Sequence, residues 1–237
     1  MKICRLSARS GGRDGGLPEP YRVGVYYAPA AADSLWQAGC TWLGRDAATG
    51  SDKTQPDLPG LATHTESPRR YGLHGTLKAP FTPRHGFDAF LRDATAFAAQ
   101  CERVRLPTLA VTNLHGFLAL CPAEPAPLLH NLADACVSQL DTHRLPESLA
   151  AQARRGAGRT ARQQAYITKW GYPLVFEDFY FHMTLTNQMQ DNPYLAAARA
   201  HFANSLAQPR YVESLAIFIE ECQGSPFQLF CHLKFAP

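Results

Sequence analysis

Two short segments of this sequence repeat one arrangement of reactive side chains: His74-Gly75-Thr76-Leu77 and His182-Met183-Thr184-Leu185. Histidine gives or takes a proton near neutral pH, and a threonine hydroxyl can hold an oxygen on which charge develops. Phosphodiester cleavage needs both services. A base takes a proton from the attacking oxygen, and an acid returns one to the leaving oxygen on the far side of phosphorus. His74 and His182 suit the acid and base roles. Thr76 and Thr184 suit a non-bridging phosphoryl oxygen. Such a scheme requires no metal and no cofactor.

Each triplet lies in an extended apolar segment, where successive side chains alternate between faces. Around the first, one face reads Gly72, His74, Thr76, Lys78 and the other Tyr71, Leu73, Gly75, Leu77. Around the second, one face reads Tyr180, His182, Thr184, Thr186 and the other Phe179, Phe181, Met183, Leu185. The pattern predicts two half-buried strands that lie side by side and present their His/Thr faces to one cleft, with Gly75 and Met183 turned into the cores. Lys78 shares the His74 face and is a candidate phosphate ligand, or else a solvated lysine at the strand end. Tyr180 shares the His182 face and is a candidate lining residue.

The rest of the chain must hold these strands. At 237 residues it suits one large domain or two small lobes. Residues 1–20 read as a loose Gly-rich tail without an apolar leader, and no apolar run is long enough for a membrane span. Strands are expected at 21–27, 106–113, 117–121, 211–221 and 227–235. Helices are expected at 31–42, 87–101, 127–140, 147–155, 160–170 and from Asn192-Pro193 to about 207, on apolar spacing and Gly/Pro punctuation. The motif strands are set at 71–78 and 179–188, and a long loop covers 44–67. Strand, helix, motif strand, helix and strand pair recur after a helical insert at about 143–170. The expected fold is therefore α+β: one two-lobed, duplicated domain over 21–237, with antiparallel sheets lining a central cleft and helices outside. The formal charge of +3 fits a small anionic substrate. Seven scattered cysteines without C-x-x-C spacing argue for a reducing cytoplasm rather than a disulfide or zinc framework.

The paired HGTL and HMTL segments resemble the 2H phosphoesterase superfamily, marked by two His-x-Ser/Thr motifs on strands of a two-lobed fold. The stretches YYAPAAADSLWQAGCTWLGRDAATG, PRRYGLHGTLKAPF, KWGYPLVF and FYFHMTLT are similar to its phosphonate-metabolism branch, whose members accompany carbon–phosphorus lyase pathways. The resemblance runs from about Tyr21 to the C-terminus and departs at Gly75, where alanine is the expectation. It implies that His74 and His182 are the acid/base pair, that Thr76 and Thr184 hold phosphate, and that the substrate is a cyclic phosphate or related phosphodiester such as a ribose cyclic phosphate.

Arg45, Arg69 and Arg70 flank the first motif, and a phosphate-binding arginine is expected among them, Arg70 foremost. Tyr71 reads as packing. Tyr27 and Trp170 are candidates to stack on a base or ribose, against a packing role for each. His85, His115, His130, His143, His201 and His232 share no spacing and read as structural or exposed. The basic Arg154–Arg162 stretch is a solvated helix pair or a lid over an anionic substrate. Two other functions compete with the phosphoesterase: a non-catalytic module that holds a nucleotide or RNA end in the same cleft, and a metallohydrolase using the same histidines. The second is disfavoured because no carboxylate adjoins either motif. No membrane and no obligate protein partner are expected.

Overall fold

A computed structural model describes residues 19–236; most of the expected 1–20 tail lies outside them. In chain order the elements are β1 (Arg22–Tyr27), α1 (Ser34–Leu43), α2 (Leu61–His64), α3 (Glu66–Tyr71), β2 (Gly75–Phe81), α4 (Phe87–Ala98), β3 (Val104–Leu106), β4 (Leu109–Leu114), β5 (Phe117–Pro122) and α5 (Pro127–Gln139). They continue with α6 (Leu149–Gly156), α7 (Ala161–Trp170), β6 (Met183–Thr184), α8 (Leu195–Leu206), β7 (Arg210–Val212), β8 (Ser214–Glu220) and β9 (Gln228–Lys234). Short 3-10 turns occupy Asp141–His143 and Phe176–Asp178.

Local chemistry sets most of these boundaries. Asp33 caps α1 by accepting from the Leu35 backbone N–H at 2.7 Å, and Gly44 closes it in the left-handed region at φ 75°. Thr160 and Gln163 form a reciprocal capping box on α7. His115 and Gly116 both take positive φ, which joins β4 to β5 by a tight turn of the hairpin-favouring kind. Glu19 belongs to the folded unit: its carboxylate accepts from the Phe87 N–H at 3.0 Å, which supplies a cap that Gly86 cannot.

Two antiparallel sheets, ordered β2-β1-β8-β9 and β4-β5-β6, and a β3–β7 pair make up the α+β architecture. Each motif strand is the edge of its sheet. A continuous core reaches across both, from Val25, Tyr27, Leu73 and Leu77 to Phe181, Met183 and Leu185. A smaller cluster of Tyr26, Trp36, Phe218 and Phe227 backs the other face of the larger sheet.

The motif segments depart from regular strands. Tyr71 ends α3 instead of entering a strand, and Gly72, at φ 76°, turns the chain so that β2 starts only at Gly75. The second motif pairs over two residues only, Ala119 with Thr184 and Leu120 with Met183. On either side its carbonyls serve other donors: Tyr180 O accepts from His182 Nδ1, and Leu185 O accepts from Trp42 Nε1 at 3.0 Å. Part of the expected 44–67 loop is helical, in α2 and the start of α3.

Candidate active site

Both histidines are held the same way. His74 Nδ1 donates to the Gly72 carbonyl at 2.9 Å, and His182 Nδ1 donates to the Tyr180 carbonyl at 2.8 Å. A carbonyl only accepts, so the proton sits on Nδ1 in each neutral ring and Nε2 is left for chemistry. Among the described residues no hydrogen bond engages either Nε2 or the hydroxyls of Thr76 and Thr184. Aromatic walls fix the rings. Tyr26 lies against His74 with centroids 4.1 Å apart, and Phe117 flanks His182 at 5.6 Å.

Phe181 brings the motifs together. It precedes His182, and its ring fills the space that a side chain at Gly75, the residue after His74, would occupy. A Cβ at position 75 would overlap that ring, which is the physical reason for glycine where the resemblance leads one to expect alanine. Phe181 also packs on Tyr27, the β1 partner of Gly75. Gly75 and Met183 both face the core, and the side chains of His74, Thr76, His182 and Thr184 are half-buried.

Burial pushes the His74 pKa down to about 4, against a raising contribution from the Gly72 carbonyl and with a further lowering by charge on His182. The rings therefore lie within electrostatic reach of one another. Burial also lowers the His182 pKa, and the Tyr180 carbonyl opposes the shift. A cleft of about 740 Å³ opens over this centre, lined by Thr76, His182, Tyr180, Phe117, Tyr172 and Arg159 among others.

Lys78 stands elsewhere, contrary to expectation. Residues directly opposite in an antiparallel pair share a face, and β1 pairs Tyr26 with Thr76 but Val25 with Lys78. An extra β2 residue at Leu77 flips the alternation, so Lys78 faces away from Thr76. Its ammonium is buried and donates to Asp141 at 2.8 Å and to the Val137 carbonyl at 3.2 Å. Arg70 is likewise committed: Nη2 donates to Glu220 at 2.5 Å, and that buried carboxylate also accepts from Arg22. Arg69 pairs with Asp52, and Arg45 is buried. Tyr27 is core, not a stacking surface. Tyr180 does line the cleft, 51 % exposed.

Tyr26, fully buried, backs His74 on the Thr76 face, a placement set by strand register that sequence spacing does not reveal. His115, read as structural or exposed, lines the cleft beside the β4–β5 turn, and so does Arg159 of the basic stretch in the helical insert. Among the described residues no group of three or more His, Cys, Asp or Glu side chains converges as a metal site, and no helix is long and apolar enough to cross a membrane.

Residues 76–228 match the family described as "Protein of unknown function (DUF1045)". The chain belongs to that family. The DUF1045 chain is also 38% identical over 231 residues to "Ribose 1,5-bisphosphate phosphokinase PhnN" of Janthinobacterium sp. (strain Marseille), a match covering 91% of this chain and 51% of that protein. It is 39% identical over 219 residues to the protein of the same name from Laribacter hongkongensis (strain HLHK9), covering 90% and 51%. The chain thus spans about half the length of these relatives. Among solved structures it is similar to E. coli LigT complexed with NADP+, at 14% identity and a TM-score of 0.42, over 92% of this chain and 99% of that one. A structure titled "Crystal structure of phosphoesterase" gives 14% and 0.45, over 92% and 100%. Likenesses this distant leave the functional reading of the DUF1045 chain to its own residues.

Proposed function

We propose that this chain is a phosphodiesterase that opens a five-membered cyclic phosphate on a ribose, with its two histidines as base and acid. The observation that carries this reading is the matched pair of imidazoles, each oriented through Nδ1 by the carbonyl two residues earlier and each paired with a free threonine hydroxyl. His74, whose pKa is pushed furthest toward the neutral form, acts as base on water through Nε2. His182, which enters the step as the imidazolium, gives its Nε2 proton to the leaving ribose oxygen. Water oxygen bonds to phosphorus, the ring P–O bond breaks, and the products are a phosphate monoester and a free hydroxyl. Thr76 and Thr184 donate to the non-bridging oxygens as charge builds on them.

The names of the longer relatives agree with a ribose phosphate. Opening a ribosyl 1,2-cyclic phosphate leaves a phosphate on the 1-position, one of the two positions in the name ribose 1,5-bisphosphate. With the resemblance to the phosphonate-metabolism branch, this supports a role in phosphonate breakdown. The kinase activity in those names then resides in the half of the relatives outside the match.

A turnover screen with EDTA present tests the reading. It compares ribosyl 1,2-cyclic phosphate with nucleoside 2′,3′-cyclic phosphates, with products identified by phosphorus NMR. The expected result is conversion of the ribosyl compound to its 1-phosphate. Binding without conversion of any cyclic phosphate would establish the non-catalytic module instead.

A further inference from the structure

The helical insert carries a row of arginines, and their pairing separates one from the others. Arg155 is bonded to Glu147 at 2.6 Å, and Arg162 holds Asp178 with a two-pronged contact at 2.7 and 3.1 Å. Arg154 lines a different cavity, beside Arg22 and Arg144. Arg159, between Gly158 at φ 72° and the Thr160 cap of α7, is exposed and lines the cleft that contains Thr76 and His182. No salt bridge or side-chain hydrogen bond engages its guanidinium among the described residues. Tyr172, which lines the same cleft, lies near enough to feel the Arg159 charge. Asp178 also borders the cleft, but the Arg162 fork neutralises it.

A cleft of about 740 Å³ is far larger than one phosphoryl group needs. Thr76 and His182 open into it; Leu174, Val175 and Phe179 supply an apolar wall suited to a sugar face. Arg159 contributes an uncompensated, delocalised cation whose geometry matches a phosphate monoester. We propose that Arg159 binds a second phosphate of the substrate, so that the preferred substrate is a sugar cyclic phosphate bearing a further phosphate monoester away from the reacting phosphorus. This rests on the phosphodiesterase reading for the identity of the reacting group. The second anion follows from Arg159 itself.

Equilibrium binding and turnover are measured on the same purified chain. Titration calorimetry compares ribose 1,5-bisphosphate with ribose 1-phosphate. Kinetics compares ribosyl 1,2-cyclic phosphate with and without a 5-phosphate. Wild type is expected to favour the doubly phosphorylated ligand by about 10–10²-fold, the range for one charge-assisted contact. Arg159→Ala should bring that ratio to within about twofold of unity, Arg159→Lys should retain part of it, and Arg154→Ala should leave it intact. A wild-type ratio near one, or a ratio that survives Arg159→Ala in a folded variant, would overturn the proposal whatever the turnover. A binding preference lost in Arg159→Ala but accompanied by no turnover of either cyclic phosphate would uphold the second-phosphate site and remove the phosphodiesterase reading alone.

Discussion

His74 and His182 differ from the other histidines in what their rings are free to do. With Nδ1 committed to a carbonyl, each has one working atom, and burial keeps the neutral form favoured. If His74 is the base and His182 the acid, the active form has the first ring neutral and the second protonated, and burial of His182 confines that form to acidic pH. The acid limb of kcat/KM should therefore fall near pH 4, where His74 titrates, and the alkaline limb below the ordinary histidine value, where His182 does. A pH–rate profile rising toward pH 8 would contradict this assignment. The same shift bears on stability. A His74 pKa lowered on folding means the unfolded chain binds the extra proton first, so stability is full above about 6.5 and is lost as pH falls toward about 4. Thermal melts across that window should show the loss, and His74→Gln should flatten it. Lys78 belongs to the fold rather than the site. Lys78→Met removes one of the donors to Asp141 while Arg144 keeps the carboxylate bonded. It should cost about 1–3 kcal/mol in urea unfolding and leave KM unchanged; a raised KM at unaltered stability would return Lys78 to the substrate.

At the scale of elements, the contact of Phe181 with Gly75 sets the spacing of the two motif strands. Gly75→Ala puts a methyl group into the Phe181 ring. The strands must part, at a cost of about 1–3 kcal/mol, typical of overpacking, and with a larger loss of turnover than of stability. Phe181→Leu introduced with it should recover part of both, a coupling that a double-mutant cycle reads directly. Additive effects would mean that the contact does not set the spacing. The apolar helix faces and the strands at 106–113 and 117–121 were legible in the sequence because local spacing and Gly/Pro punctuation decide them. The bulge at Leu77 was not. It depends on how β2 registers against β1, and one inserted residue reversed the predicted face of Lys78. The short helices α2 and α3, four and six residues long, offer too few turns for an apolar period to show.

Across the whole molecule, the edge strands that carry the motifs lie near each other and share one apolar core. The His/Thr pairs were legible because the motif occurs twice. Arg70 was misjudged because its partner Glu220 is 150 residues away in sequence, and Arg159 was one of several arginines until the insert folded over the cleft. If both imidazoles serve one phosphorus, they form a unit and their removal is not additive. The most direct measurement is single-turnover hydrolysis of ribosyl 1,2-cyclic phosphate, in EDTA, by wild type, His74→Gln, His182→Gln and the double variant. Each single substitution is expected to lower the rate by about 10²–10⁴, with the double variant close to the slower single. A single variant that turns over at the wild-type rate, or a wild-type rate abolished by EDTA and restored by a divalent ion, would contradict the two-histidine mechanism.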